Sequence, residues 1–293
     1  MEKYGNMFAV KGFVYNYGLA FRNHRQSFRY IPDLHSGVGV GVWFKYFPFD
    51  ICYRKEIDIF GREDYHRIKT TDMQLRGYNK YFAGDIFIQR YTGFYRNIKN
   101  GLQIPPVIFS NLPYNPDLRV AQFDMVGKYI FNHERFSYKA GFTANERQLI
   151  SSGSVTAGAA LYYLRIDSDS LLVRDSESSL KSCSVGFNGG YAYNFVLDTH
   201  SVLFVSGSLG INASNLVLRS SRDYGVRLQP VLHLKGAFWH NCRKWSFGIT
   251  GTFNIIHHVL DDDLKVYVHT RRGELVAIRR IWMPSKKNES NIL

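Results

Sequence analysis

Bulky apolar residues alternate with small or polar ones along much of this chain, in runs of ten or more positions. The clearest run covers 244–255. Trp245, Phe247, Ile249, Phe253 and Ile255 fall on one side, and Lys244, Ser246, Thr250, Thr252 and Asn254 on the other, with Gly248 and Gly251 mixing neither face. Side chains of an extended strand point to opposite sides in turn. A period of two kept over this length therefore needs an apolar solvent on one face and a wet one on the other. The parity recurs where Val185, Phe187, Tyr191, Tyr193 and Phe195 oppose Ser184, Gly186, Asn188, Gly190 and Asn194, and where Leu203, Val205, Leu209 and Ile211 oppose Ser206, Ser208, Gly210 and Asn212. Near the N-terminus Val38, Val40, Val42, Phe44 and Tyr46 face away from Gly37, Gly39, Gly41, Trp43 and Lys45. Glycines gathered on one face suit a crowded interior. A strand of about 9 to 11 residues crosses a bilayer. The strands of a soluble sandwich, the competing architecture, average about 5 to 6 and carry charge on their exposed face.

The pattern predicts an all-β fold, a single antiparallel up-and-down transmembrane β-barrel of about 12 to 14 strands. Strands are expected near 7–19, 37–47, 50–59, 72–82, 85–96, 118–131, 135–144, 153–166, 184–197, 201–212, 225–239, 243–256, 264–270 and 274–282. Short connections at Phe47–Phe49, Asn132–Glu134, Asp198–His200 and Asn241–Cys242 read as turns at one end of the barrel. The segments 20–36, 60–71, 97–117 and 213–224 read as long loops at the other. Such barrels alternate the two. The alternation breaks after the seventh strand, where 145–152 and 167–183 are both long, so a strand is miscounted there and Ser170–Arg174 is the suspect.

Composition fits this architecture. Aromatic residues make up 16% of the chain, with 20 Tyr and 22 Phe, yet mean hydropathy is only -0.23. Membrane barrels share this profile, because half of each strand is polar and aromatic rings gather at the two interfaces. No apolar run approaches the roughly 18 residues of a spanning helix. Residues 1–283 are expected to form one barrel domain and Pro284–Leu293 a polar tail. Met1, Glu2 and Lys3 lead into a strand without the charged, apolar and cleavage regions of an export signal, so the chain reads as either a mature segment or a truncated one, the second being favoured. Cys52, Cys183 and Cys242 lack Cys-x-x-Cys spacing, which argues against a metal or disulfide framework. Cys52 and Cys242 are placed on interior faces as buried thiols.

Formal net charge is +13 and the sequence pI about 9.6, which raises nucleic acid as a partner. No recognition motif supports it, and the basic residues are scattered. The lipid of an outer membrane, with anionic glycolipid phosphates, offers another partner for Arg22, Arg25 and Arg29 in the first loop and for Arg219 and Arg222 in a later one. Inward charge carries more information. Asp50, Arg54, Glu56 and Asp58 share the face opposite Ile51, Tyr53, Ile57 and Ile59, while Arg227, Gln229, His233 and Lys235 oppose Leu228, Leu232, Leu234 and Phe238. Arg54, Glu56, Asp58, Arg227, His233 and Lys235 are thus the candidate lumen-facing residues. They either bridge the barrel in a network that fills it or line a path for a small ionic solute. Both signs occur, which favours the network.

A barrel-embedded lipid-modifying hydrolase is the enzymatic alternative, but no Gly-x-Ser-x-Gly elbow or other spaced motif marks a nucleophile. His257 and His258 beside Asp261, Asp262 and Asp263 fall in a connecting loop and read as hydrated side chains rather than a metal centre. The expectation is a structural, binding or small-solute pathway protein of the envelope, with no cofactor, metal or catalytic residue.

Several short stretches resemble one family. They are Pro116-Asp117-Leu118-Arg119, Tyr129-Ile130-Phe131-Asn132, Arg135-Phe136-Ser137-Tyr138-Lys139-Ala140, Glu146-Arg147-Gln148 and Ser152-Gly153-Ser154. With Tyr91-Thr92-Gly93-Phe94-Tyr95 and Gly190-Tyr191-Ala192-Tyr193, they are similar to the family known as domain of unknown function 4421. The likeness runs from about residue 37 onward, and the Phe-Ser-Tyr and Glu-Arg-Gln order is its least generic part. It implies a Gram-negative outer-membrane or exported barrel and brings no activity, so no functional residues transfer.

Overall fold

Among the described residues, twelve long antiparallel strands follow one another in chain order and form a barrel, because the last pairs with the first. The computed structural model describes residues 7–23, 29–31, 35–44, 49–56, 70–97, 113–168, 179–214, 226–259 and 265–282. The strands are β1 (Met7–Asn23), the short β2 (Arg29–Ile31), β3 (His35–Phe44), β4 (Phe49–Glu56), β5 (Thr70–Tyr78), β6 (Phe82–Asn97) and β7 (Tyr114–Ile130). After them come β8 (Ser152–Asp167), β9 (Ser179–Val196), β10 (Ser201–Ser214), β11 (Arg227–Asn241), β12 (Trp245–Val259) and β13 (Lys265–Trp282). Closure is continuous from Met7↔Trp282 to Asn23↔Val266. The three-residue β2 pairs with both β1 and β6 and adds no stave of its own. β4 and β5 meet at Phe49↔Gly77 and Asp50↔Arg76.

Side-chain parity around this ring separates two environments. Val10, Val14, Val40, Phe187, Leu209, Ile211, Phe247, Ile249 and Leu275 are exposed on the outer face, while Lys11, Gln74, Asp85, Asn188, Ser208, Thr250 and Glu274 are buried on the inner one. One sheet closed on itself with its apolar side outward is the inverse of a sandwich, whose two sheets bury their apolar faces against each other. The glycines of β3 belong to the crowded interior: a Cβ on Gly39 would stand 2.3 Å from the Phe13 ring.

Three expectations are corrected. Residues 135–144 form no strand; the chain turns into the lumen there and makes one π-helical turn, Lys139–Thr143, with Ala140, Gly141, Phe142 and Thr143 buried. Its alternation mimics a strand, but protein surrounds it on both faces. The segments 264–270 and 274–282 are one strand, β13, because Gly273 pairs with Asn16 on one side and Gly251 on the other without a break. Fourteen candidates thereby become twelve long strands among the described residues, and the two long connections that broke the alternation fall at opposite ends of the barrel, 131–151 being a long insertion at the turn end. The suspect Ser170–Arg174 lies outside the described residues. Cys242 is exposed, because it sits in the turn between β11 and β12, where its N–H donates to the Trp245 carbonyl at 2.8 Å. Cys52 packs against the interior cluster.

Candidate functional site

The segment 131–151 is a plug inserted into the barrel from the end that carries the short turns. It leaves β7 at Asn132, whose N–H donates to Ser154 Oγ at 2.9 Å and whose side-chain amide donates to the Gly153 carbonyl at 2.7 Å. The segment then ties itself together. Ser137 Oγ donates to Glu146 Oε2 at 2.7 Å and accepts the Ala140 N–H at 3.1 Å, which starts the π-helical turn. Gln148 Oε1 accepts the Ser137 N–H at 3.1 Å, and Gln148 Nε2 donates to the Arg135 carbonyl at 2.6 Å. Lys139 stands 3.7 Å from Glu146. The turn ends in Ala144, a left-handed residue with φ 54°. A non-glycine residue adopts this conformation at a cost that surrounding contacts must offset. Here the Ala144 carbonyl accepts Arg280 Nη2 at 3.1 Å.

The barrel wall grips the plug from several sides. Asn194 on β9 donates to the Ser137 carbonyl at 2.9 Å, and Tyr138 Oη bonds Ser206 Oγ on β10 at 3.2 Å. Burial holds the Tyr138 phenol above its ordinary pKa range, so it stays a neutral donor. A Cβ on Gly141 would meet Asn194 Oδ1 at 2.1 Å and the Phe204 ring at 2.3 Å, so only glycine allows this approach. Phe136, Tyr138 and Phe142 are essentially inaccessible. Tyr138 meets Phe204 and Tyr78 edge-on at 5.0 and 5.1 Å. At the mouth of the segment, the exposed Lys80 bonds Glu134 at 2.6 Å and pulls that carboxyl below the usual carboxylate range. An exposed pair of this kind contributes little to stability.

Two buried ion networks face the plug. Lys235 on β11 pairs with Asp85 on β6, donates to Tyr78 Oη at 3.1 Å, and lies 4.9 Å above the Phe142 ring. Tyr78 Oη in turn donates to Asp85 Oδ1 at 2.8 Å. Glu274 on β13 accepts Arg54 at 2.9 Å and Arg76 at 3.3 Å, and the Arg76 guanidinium lies 5.1 Å from the centroid of the same Phe142 ring. Cation–π contact in a dry setting holds a ring more strongly than at an exposed surface. Between Lys11, Arg76, Phe142 and Glu274 the remaining cavity is about 10 Å³, the lower limit for a single water. Toward the loop end His233 accepts or donates at 2.6 Å with Tyr162 Oη and at 2.9 Å with Asn254 Oδ1.

Of the six sequence-derived lumen residues, Arg54, His233 and Lys235 are buried inside the barrel in these networks. Arg227 is half-buried at the loop end of β11. Asp58 and the side chain of Glu56 lie outside the described residues, as do Arg25, Arg219, Arg222, Asp261–Asp263 and the side chains of Arg22, Arg29 and His258. Sequence reading missed Asp85, Glu274, Arg76, Asn194 and Arg280. It also noted Ser137, Glu146 and Gln148 as a motif without seeing that they bond one another. That motif was the available signal for an inserted segment.

The chain belongs to the family described as Domain of unknown function (DUF4421). The family model matches residues 1–278, which include every stretch that carried the resemblance. Among curated proteins none matches the chain. Among solved structures, the translocator domain of the autotransporter NalP from Neisseria meningitidis is similar at 13% identity and a TM-score of 0.49, covering 95% of this chain and 90% of that one. The β domain of the Bordetella autotransporter BrkA is similar at 9% identity and 0.38, covering 91% and 98%. The Escherichia coli outer membrane protease OmpT is similar at 7% identity and 0.36, covering 94% and 97%. Likeness this distant assigns no activity, and the role of the DUF4421 barrel is argued from its own residues.

Proposed function

We propose that this chain is an outer-membrane barrel of the cell envelope, closed at its turn end by its own segment 131–151, and that it works by binding or regulated passage rather than as a permanently open pore. The observation that carries this reading is the buried Phe142 ring in cation–π contact with both Lys235 and Arg76, with little space left around it. A bilayer setting is supported by the apolar outer face and by aromatic rings gathered at the turn end, where Phe82 meets Tyr129 at 5.4 Å, Tyr193 meets Phe195 at 4.5 Å and Trp245 meets Phe247 at 5.9 Å. Such girdles form where ring and headgroup share the interface. In bacterial outer-membrane barrels the short turns face the periplasm, which puts the plug on that side.

The test is planar-bilayer conductance of the detergent-refolded protein, after its unboiled gel band is seen to migrate as folded. A folded, electrically silent barrel is expected. A steady current through the intact protein contradicts the closed lumen, and failure to fold in detergent or lipid contradicts the membrane setting. Ile249, 56% exposed on the outer face, supplies a second check. Ile249→Arg should cost roughly 2–4 kcal/mol if it lies near the bilayer midplane, read as a lower urea midpoint in vesicles. An unchanged midpoint removes lipid from that face.

A further inference from the structure

One wall of the lumen is built unlike the rest. The inward positions of β9 from Ser182 to Asn194 and of β10 from Ser206 to Ser214 are all serine, glycine, alanine or asparagine. The full charges stand on other strands: Lys235 on the neighbouring β11 is in register with Ser206, Lys128 on β7 donates to Ser208 Oγ at 2.7 Å, and Arg54 on β4 and Arg76 on β5 share Glu274. On the polar strip hydrogen-bonding capacity is unspent. Asn188 is 6% exposed, and among the described residues neither its amide nitrogen nor its amide oxygen has a partner. Asn212 Nδ2 on β10 and Thr156 Oγ1 on the adjoining β8 are equally without one, as are Gln122 Oε1 and Asp124 Oδ1 at the strip's edge on β7. Buried polar atoms are normally bonded, and each omission lowers stability.

At its turn end the same strip already holds an uncharged polar guest. Asn194 donates to the Ser137 carbonyl and Ser206 meets Tyr138 Oη; the guest is the plug. Further along, the unspent groups include donors, the Asn188 and Asn212 amide nitrogens, and acceptors, the Asn188, Gln122 and Asp124 oxygens. An anion calls for donors alone and a cation for acceptors alone. A hydroxyl both donates and accepts, so several hydroxyls match a mixed surface of this kind.

We propose that the β9–β10 strip is a recognition track for an uncharged polyhydroxylated solute, a sugar or polyol, which enters when the plug leaves the turn end. The proposal rests on the closed membrane barrel above and deepens it by naming the solute class. The turn end of the strip, with the ion networks beside it, then serves to hold the plug, and its farther part, around Asn188 and Asn212, to receive the solute.

The experiment is swelling of liposomes in arabinose and glucose, with chloride conductance measured in parallel. Three proteins are compared: the intact chain, a variant with 133–148 replaced by a short Gly-Ser turn, and that variant carrying Asn188→Leu and Asn212→Leu. The intact barrel should stay sugar-tight. The unplugged one should admit arabinose, and the two leucines should slow entry by about tenfold, the loss of two hydrogen bonds, with chloride conductance changed less than twofold. Leucine has the branching and heavy-atom count of asparagine without its polar atoms, so a purely structural role predicts a folded barrel with unaltered sugar entry, and that result overturns the proposal. So does a folded, unplugged barrel that conducts chloride but admits no sugar. Should the shortened chain not fold, Tyr138→Ala with Phe142→Ala in the full chain opens the plug instead and is judged by the same outcomes. An intact protein that never folds in lipid would defeat the membrane reading first.

Discussion

Glu274→Ala is expected to lower the unfolding free energy of the barrel by about 3–5 kcal/mol, the loss typical when one partner of a buried charged set is removed. Its carboxylate is shared by Arg54 at 2.9 Å and Arg76 at 3.3 Å, and it also accepts Thr250 Oγ1 at 3.3 Å, all on side chains nearly closed to solvent. Removing it leaves two guanidinium groups inside a narrow lumen without the charge they share. Replacing Arg54, Arg76 and Glu274 together by methionine should cost markedly less, because desolvation of the ions is removed along with their attraction. Urea titration in vesicles, followed by tryptophan fluorescence, separates the cases. Glu134→Ala, at the exposed pair with Lys80, is the control that should leave the midpoint nearly unmoved. If Glu274→Ala behaves like that control, water reaches the network and the lumen is wider than the packing indicates.

The barrel was legible in sequence wherever two solvents act on one strand. β9, β10 and β12 carry an exposed apolar outer face and a polar inner one, so their alternation is strict and their parity could be read directly. Parity also sufficed to turn Arg54, His233 and Lys235 inward. Their partners could not be read, because strand order and stagger decide which inward residues meet: Arg54 and Glu274 are 220 positions apart, Lys235 and Asp85 150 apart. The plug failed for another reason. Phe136, Tyr138, Ala140, Phe142 and Ala144 alternate with Arg135, Ser137, Lys139, Gly141 and Thr143 as in a strand, but the apolar set packs on the inner wall, not on lipid. What distinguished the segment was its chemistry. The spaced Ser137, Glu146 and Gln148 bond one another across a loop, and a lipid-facing strand would have no use for them. At β13, Arg271, Arg272 and Gly273 resembled a break, yet Arg271 points out and Arg272 in, so the parity was continuous through the charges.

Phe142→Ala tests whether the plug is a separate unit. The ring is fully buried, 5.7 Å from Phe204 and 6.3 Å from Tyr78, with Lys235 and Arg76 over it. Truncating such a ring typically costs about 3–5 kcal/mol. The barrel staves are joined to each other by continuous ladders, whereas the plug is joined to them chiefly by side chains, so this loss should fall on plug docking and not on the barrel as a whole. Two signatures follow. The folded gel band and the urea midpoint of the barrel should stay close to those of the intact protein, while protease should now cut between 131 and 151 and current should appear in planar bilayers. The bonds from Asn194 to the Ser137 carbonyl and from Arg280 to the Ala144 carbonyl remain, so that current should flicker rather than stand open. Adding Asn194→Ala should convert flicker into steady conductance. If Phe142→Ala instead lowers the barrel's own midpoint by the full amount and stays silent, plug and staves fold as one body. The segment is then a structural core and no gate, and closure at the turn end is permanent.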